Sequence, residues 1–406
     1  MENSAKRRSW VDSYKEYLVD SPLSEEEVRR YIATVDDILH TQWELGRNLI
    51  LLWAVEKQQL LLLVIPHYRL AEYSGSSDEH DKQWISKLTA GRKESEPSLL
   101  YETARRFNTE PVHIPLEFDP IQTLGSDLLC ALVRRYSVSL VHERAVALFD
   151  AVGFSLLTPL EQVTQLNSLS YSVNSAYSKL LGKAVEITFA RTTTGDGFYI
   201  WNRNTSIEAN IDLYHFVQLI LADNAIARAK ARNATVPQLR ACFHVGSHYE
   251  FYQEEGLSPT TFSYIVGDVT IELARMIDKA LPGQILVGDF DVPMLHPENG
   301  RIESIDTIGF MERSLETLSN LDGVDLSEDT IESIKCYLTG RKDEDGSFGI
   351  NRYRITDKHG LTHTVYNAKV NITRHKKPPI FLGIRNRELD AFDAELVEEV
   401  KTSHTS

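Results

Sequence analysis

Between residues 139 and 290 the chain alternates short apolar runs with longer helical stretches, and this order limits the possible folds more than any other feature. Ala145 to Phe149 is a short apolar run with a β-branched member and reads as a buried strand. Pro159-Leu160-Glu161 opens a helix with proline in its first turn, continuing to about Leu181. Val185 to Arg191 and Phe198 to Trp201 read as strands flanking Thr192-Thr193-Thr194-Gly195-Asp196-Gly197, a hairpin tip. A long helix covers about Leu213 to Arg232. Leu239 to Val245 and Ser263 to Gly267 are strand-like, Ile271 to Ala280 helical, and Gln284 to Val287 a final buried strand.

Strand-helix-strand-strand-helix-strand is the ferredoxin-like pattern, so the expected class is α+β with a βαββαβ core. Residues 1–138 are expected to form an N-terminal α+β module, either a regulatory region or an accessory packing domain. Within it, Ser24-Glu25-Glu26-Glu27 starts a helix with acidic residues in the first turn, running to about Arg47. Polar loops are expected at about Ser74 to Lys82 and Lys93 to Glu96, and a helix ending near Arg135. The second domain is read as 139–375, with its core at 139–290. Helices at about Ile305 to Leu318 and Ser327 to Leu338 predict a helical insertion over 295–345, followed by a glycine- and charge-rich loop from Gly340 to Gly349. A closing hairpin over 350–375 pairs Asn351 to Thr356 with Thr362 to Val370, turning at Asp357-Lys358-His359-Gly360. Residues 376–406 are read as a C-terminal tail, acidic from about Glu388 and expected to end in a mobile segment.

The 406 residues include 43 basic and 58 acidic side chains, a net charge of −15. That balance argues against a non-specific nucleic-acid binder, whose surface would be basic, although a divalent metal can still bring an anionic nucleotide to an acidic protein. Cys130, Cys242 and Cys336 are widely spaced and form no CxxC, so neither a disulfide framework nor a zinc site is expected. The first residues lack the apolar core of a signal peptide. The most hydrophobic region, Leu49 to Ile65, is interrupted by Glu56-Lys57-Gln58-Gln59, and each half is far shorter than the roughly 20 residues of a membrane helix. Two strands joined by a polar turn explain it better. A cytoplasmic protein with reduced thiols and no membrane anchor is expected.

Two segments carry chemistry: Phe149-Asp150-Ala151-Val152-Gly153-Phe154-Ser155 and Gly195-Asp196-Gly197-Phe198. Each sets one aspartate beside a glycine in an otherwise apolar run. Two carboxylates delivered from neighbouring strands suit a pair of divalent ions gripping a triphosphate. Taken singly, Asp196 reads better as a turn residue and Asp150 as a helix cap. Gly153-Phe154-Ser155 leads towards the first helix, where backbone amides can cradle phosphates or simply make the turn.

In order along the chain, these segments resemble the motifs of class III nucleotidyl cyclases. Phe149 to Ser155 is similar to the first-strand metal motif, and Thr194-Gly195-Asp196-Gly197-Phe198 to the second. Leu239 to Gly246 resembles the Ile-His-x-Gly strand. Tyr264-Ile265-Val266-Gly267-Asp268, Ala274-Arg275 and Pro282 to Val287 resemble the closing segment. The resemblance covers residues 139–290 and little of the flanks. It implies that a ribose 3′-hydroxyl attacks the α-phosphorus of a nucleoside triphosphate, making a 3′,5′-cyclic nucleotide for signalling and expelling pyrophosphate. It also implies two Mg²⁺ or Mn²⁺ ions per site on Asp150, Asp196 and the backbone carbonyl of Ala151. Gly153, Phe154 and Ser155 would hold the phosphates, and Arg275 would stabilise α-phosphate charge in the transition state. In the family the site forms between two such domains, so a homodimer with shared sites is implied. A weaker match, Lys358-His359-Gly360, places Lys358 where the family's hairpin lysine reaches the triphosphate; an ordinary turn lysine is the alternative. His244, flanked by Phe243 and Val245, reads as a core residue, and neither it nor His248 is taken as a ligand.

Three positions depart from the family. Thr192, with Arg191 beside it, stands where adenylyl cyclases carry the adenine-selecting lysine, and Tyr264 where they carry the selecting aspartate. ATP specificity therefore does not carry over, and a tyrosine would read another base by stacking or hydrogen bonding. Ile271 stands where the family has its transition-state asparagine, and a small register change would put Thr270 or Glu272, which flank it, in that place. These departures motivate the alternative of a catalytically silent, cyclase-like nucleotide-binding or dimerisation scaffold.

Overall fold

In the computed structural model the described residues are 23–183, 185–254, 261–295, 301–340 and 349–400. They divide into two compact units, one running to Val141 and including Tyr249–Ile265, the other comprising His142–His248 and the chain from Val266 onward.

The first unit begins with α1 (Glu25–Trp43), whose N-cap Ser24 forms a reciprocal capping box with Glu27. A hairpin follows, β1 (Asn48–Glu56) and β2 (Gln59–Pro66), turning through Lys57 and Gln58 at φ 49° and 63°. Positive φ at both central residues is the type I′ geometry that matches strand twist. Helices α2 (His67–Ser74), α3 (Glu79–Ala90) and α4 (Pro97–Arg106), strand β3 (Val112–Pro115), and helices α5 (Pro120–Leu124) and α6 (Ser126–Arg134) complete it. One face of the β1-β2-β3 sheet packs Ile50, Trp53, Leu60 and Leu62 against Ile32, Val35 and Leu128. The other packs Leu51, Leu61 and Leu63 against Ile85, Leu100 and Phe107. Burial on both faces is why Leu49 to Ile65 lacks a polar alternation. No helix among the described residues is long and apolar enough to cross a membrane.

The expected loop at Ser74 to Lys82 is present but shorter, spanning 75–78 between α2 and α3. Asp78 restarts the chain by accepting the His80 amide at 2.8 Å. Trp84 of α3 then packs on Phe107 with the Arg106 guanidinium 3.8 Å from its ring centroid.

The chain continues through β4 (Val138–Ala151), α7 (Pro159–Leu180), β5 (Phe189–Thr193), β6 (Gly197–Asn202), α8 (Ile207–Lys230) and β7 (Leu239–Glu254). Their order in the sheet is β7-β4-β6-β5, fourth, first, third, second, which is the ferredoxin-like arrangement expected from the sequence. Strand β5 starts at Phe189 rather than Val185, and α8 at Ile207 rather than Leu213, because Ser206 caps it through the Ala209 amide. Buried Asn210 of α8 accepts the Ala145 amide at 2.8 Å and donates to the Glu143 carbonyl at 2.8 Å, which pins α8 to β4.

Asp212, near the start of α8, accepts the Glu186 amide at 2.9 Å. Burial pushes its pKa up to about 6 against that amide bond, and the charges of Glu186 and Glu208 add to the rise. The folded chain therefore holds this proton more tightly than the unfolded chain, and the associated stability is lost as pH rises through about 6. Asp212→Asn is expected to raise the melting temperature above pH 6 by the equivalent of on the order of 1 kcal/mol, discounted for partial exposure, and to change nothing near pH 4. Thermal melts of both proteins at the two pH values check this.

Next come β8 (Thr261–Val266), α9 (Asp268–Lys279), β9 (Ile285–Gly288), β10 (Asp291–Leu295), β11 (Ile302–Asp306), α10 (Thr307–Thr317), β12 (Ile331–Leu338), β13 (Ile350–Thr356), β14 (Thr362–Arg374), β15 (Ile380–Leu382) and β16 (Glu395–Val400). Strand β9 runs parallel to β7 and antiparallel to β14, so the closing hairpin extends the same sheet.

Two expectations are corrected here. The helical insertion contains one helix, α10, but the second expected helix is strand β12, paired with β14. A register shift between Ile331 and Ser333 makes the first apolar spacing three residues, which mimics a helix, before the period-two run Ile334, Cys336, Leu338. The expected loop Gly340 to Gly349 lies mostly outside the described residues. Within the acidic C-terminal segment, 395–400 form β16 against β13, where Arg352 meets Glu398 at 3.4 Å and Arg354 meets Glu395 at 3.3 Å, while 401–406, the end of the expected tail, lie outside the described residues. Cross-strand charge pairs make a strand of a run that reads alone as a solvated tail.

Candidate functional site

Strand parity places the aspartates. Ala145, Ala147 and Phe149 of β4 join the core formed with α7 and α8, so Asp150 points to the opposite face. Its strand neighbour is Gly197 of β6, and the Ala151 amide donates to the Asp196 carbonyl at 3.0 Å. A Cβ on Gly197 would lie 1.8 Å from the Phe149 carbonyl oxygen, so only glycine permits β6 to start this close to β4. Thr194, Gly195 and Asp196 form the tip, with Thr194 Oγ1 donating to Asp196 Oδ1 at 3.3 Å.

The two carboxylates interact. Burial pushes the Asp150 carboxyl above its ordinary pKa, and the Asp196 carboxylate adds to the rise, while Arg240 acts in the other direction. Arg240 Nε donates to Asp150 Oδ2 at 2.6 Å, and Nη1 to the Ala280 carbonyl at 3.2 Å. This arginine was not singled out from the sequence. It sits within β7 beside Leu239 and Ala241, both in the α7–α8 core, so it shares Asp150's face on the adjacent strand.

The segment after β4 turns at Gly153 (φ 71°) into a short 3-10 turn, Phe154–Leu156. The Leu156 and Leu157 amides are used within it, bonding to the Gly153 and Phe154 carbonyls. Helix α7 closes its own N-terminus through the Thr158–Glu161 capping box. Gly153 and Ser155 are exposed and Phe154 is half-buried.

The other candidates each have contacts of their own. Arg191 faces α7, donating to Ser170 Oγ at 2.9 Å with its guanidinium 5.0 Å from the Phe198 ring, whereas Thr192 pairs with Tyr199 on Asp150's face. Tyr264 stacks on Phe251 at 5.4 Å within the first unit. Arg275 of α9 forms an ion pair with Asp357 Oδ2 through Nε at 3.1 Å, and Lys358 is exposed on the same β13–β14 turn. Ile271 is 52% exposed. Of the residues flanking it, Thr270 Oγ1 bonds Gly267, and Glu272 Oε2 lies 2.7 Å from His363 Nδ1. Burial lowers the pKa of His244 to about 4 and of His248 to about 3, the latter with help from the Arg144 charge.

The chain thus presents a carboxylate group on β4 and β6 and a basic group on α9 and the closing hairpin. Among the described residues no hydrogen bond or ion pair joins Arg275 to either aspartate. No cluster of three or more His, Cys, Asp or Glu there can hold a metal alone. Two mutually repelling carboxylates are nevertheless a donor set that suits Mg²⁺ or Mn²⁺ when phosphate oxygens complete the shell.

No family model matches the sequence, and no curated protein matches it. Among solved structures, the guanylate cyclase domain of RhGC from Catenaria anguillulae in complex with GTP is 11% identical with a TM-score of 0.33, covering 59% of this chain and 100% of that one. The adenylyl cyclase CyaB from P. aeruginosa is 11% identical with a TM-score of 0.34, covering 59% and 98%. A bacterial light-regulated adenylyl cyclase is 14% identical with a TM-score of 0.28, covering 42% and 92%. Likeness of this degree transfers neither substrate nor activity.

Proposed function

We propose that this chain is a metal-dependent nucleotidyl cyclase that converts a nucleoside triphosphate to a 3′,5′-cyclic nucleotide and pyrophosphate. The observation that carries this reading is the juxtaposition of Asp150 and Asp196 at the ends of β4 and β6, held by a glycine contact that admits no side chain. Asp150, Asp196 and the Ala151 carbonyl would hold the divalent ions. When bound, such ions lower the pKa of a ribose hydroxyl and neutralise phosphate charge.

The chain's own residues then have distinct tasks. Arg240 holds the Asp150 carboxylate through Oδ2 beside the Asp196 carboxylate. The Gly153–Ser155 segment borders the carboxylates and would take the phosphates. Arg275 and Lys358, on the basic group, would meet the α-phosphate and the polyphosphate from a second copy of the chain, closing two equivalent sites in a homodimer. The base stays unassigned, since Thr192 and Tyr264 do not reproduce a lysine–aspartate reader.

A second reading, a silent nucleotide-binding scaffold, is favoured by exposed Ile271 at the asparagine position. Incubating purified protein with Mn²⁺ or Mg²⁺ and each of ATP, GTP, CTP and UTP separates the two. The cyclase reading expects cyclic product and pyrophosphate in equal amounts from at least one nucleotide, lost on chelation. Binding without turnover of any nucleotide leaves the scaffold.

A further inference from the structure

We propose that Asp357 and His363 are positioning residues for Arg275: the β13–β14 turn grips one edge of the guanidinium and fixes where its terminal nitrogens point. The inference rests on the cyclase reading, which gives those nitrogens their target.

The grip is rigid for local reasons. Asp357 Oδ1 accepts the His359 amide at 2.8 Å and the Leu361 amide at 2.9 Å, and Gly360 closes the turn at φ 80°. Its carboxylate therefore cannot swing without breaking the turn. The other oxygen, Oδ2, faces Arg275 Nε at 3.1 Å with the Asp357 side chain only 3% exposed. Although burial works in the opposite direction, the two amide bonds and the Arg275 charge hold the Asp357 carboxyl below its ordinary pKa, so it stays ionised.

His363 braces the pair from behind. Its side chain is 6% exposed, with Nδ1 2.7 Å from Glu272 Oε2 and Nε2 3.6 Å from Asp357 Oδ2. Glu272 and Arg275 are three residues apart on α9 and so are surface neighbours. The hairpin thus clasps the helix at two adjacent points. The Asp357–Arg275 contact is an ion pair without a hydrogen bond to Oδ2, and among the described residues the terminal nitrogens of Arg275 make no hydrogen bond either, so their N–H groups are open to a substrate.

Asp357→Asn tests this, because asparagine keeps an oxygen for the two turn amides and puts an uncharged NH2 group, which cannot accept, where Oδ2 meets Arg275 Nε. The expected result is a fall in kcat on the order of 10²-fold at unchanged KM, as for a misplaced catalytic group. In an Arg275→Ala background the same substitution should cost nothing further, since its effect runs through the arginine. Should Asp357→Asn lower the melting temperature, His363→Gln carries the test with the same fall in kcat at unchanged KM. An unchanged kcat, or a full additional loss on top of Arg275→Ala, overturns the positioning role while leaving the cyclase reading intact. A wild-type protein that makes no product from any triphosphate overturns both.

Discussion

Asp150→Asn is expected to lower cyclic-nucleotide formation by on the order of 10²–10³-fold while leaving the fold intact. Asparagine still offers Arg240 Nε an acceptor in place of Oδ2, so the link between β4 and β7 survives. What disappears is one of the two charges available to a divalent ion. The same change relieves the burial and the Asp196 repulsion that push the Asp150 carboxyl up, so the melting temperature should not fall. Product assays and thermal melts on one preparation check both halves. A variant that loses activity only because it unfolds contradicts the proposed role.

Gly197→Ala should have the largest effect on stability. Its new methyl would lie 1.8 Å from the Phe149 carbonyl oxygen and 3.1 Å from the Asp150 Cα, both backbone atoms that no rotamer change can move. The strands must separate at the point where Asp150 and Asp196 meet. We expect a cost of about 3 kcal/mol or more, and a melting temperature lower by roughly 10 °C, as measured by calorimetry. By contrast, Gly195→Ala, at a tip where nothing lies within 4 Å, meets only the strain of φ 102°. Similar destabilisation by the two substitutions would contradict this steric explanation.

What the sequence revealed depended on whether the signal was local. The βαββαβ order, the hairpin tip at Thr194–Asp196 and the proline-started α7 all follow from runs of neighbouring residues. That Asp150 and Asp196 lie on neighbouring strands was legible for the same reason, because each is carried by a short strand or turn segment with a glycine within three residues. Arg240 was missed because its meaning depends on β7 lying beside β4 in matching parity, a contact across 90 residues. The Asp357–Arg275 clasp is equally non-local. Strand β12 was misread because a bulge at its start imposes a helix-like spacing, and β16 because its charges make sense only opposite Arg352 and Arg354. Where structure departed from sequence, long-range pairing overrode a local pattern.

The shared-site proposal is tested most directly by mixing two inactive variants, Asp150→Asn and Arg275→Ala, and assaying cyclic nucleotide. If each site draws its aspartates from one copy and its arginine from the other, half of randomly paired dimers carry one intact site, and about a quarter of the wild-type activity returns. A mixture as inactive as its components, formed from chains shown to exchange partners, would contradict a site shared between two copies.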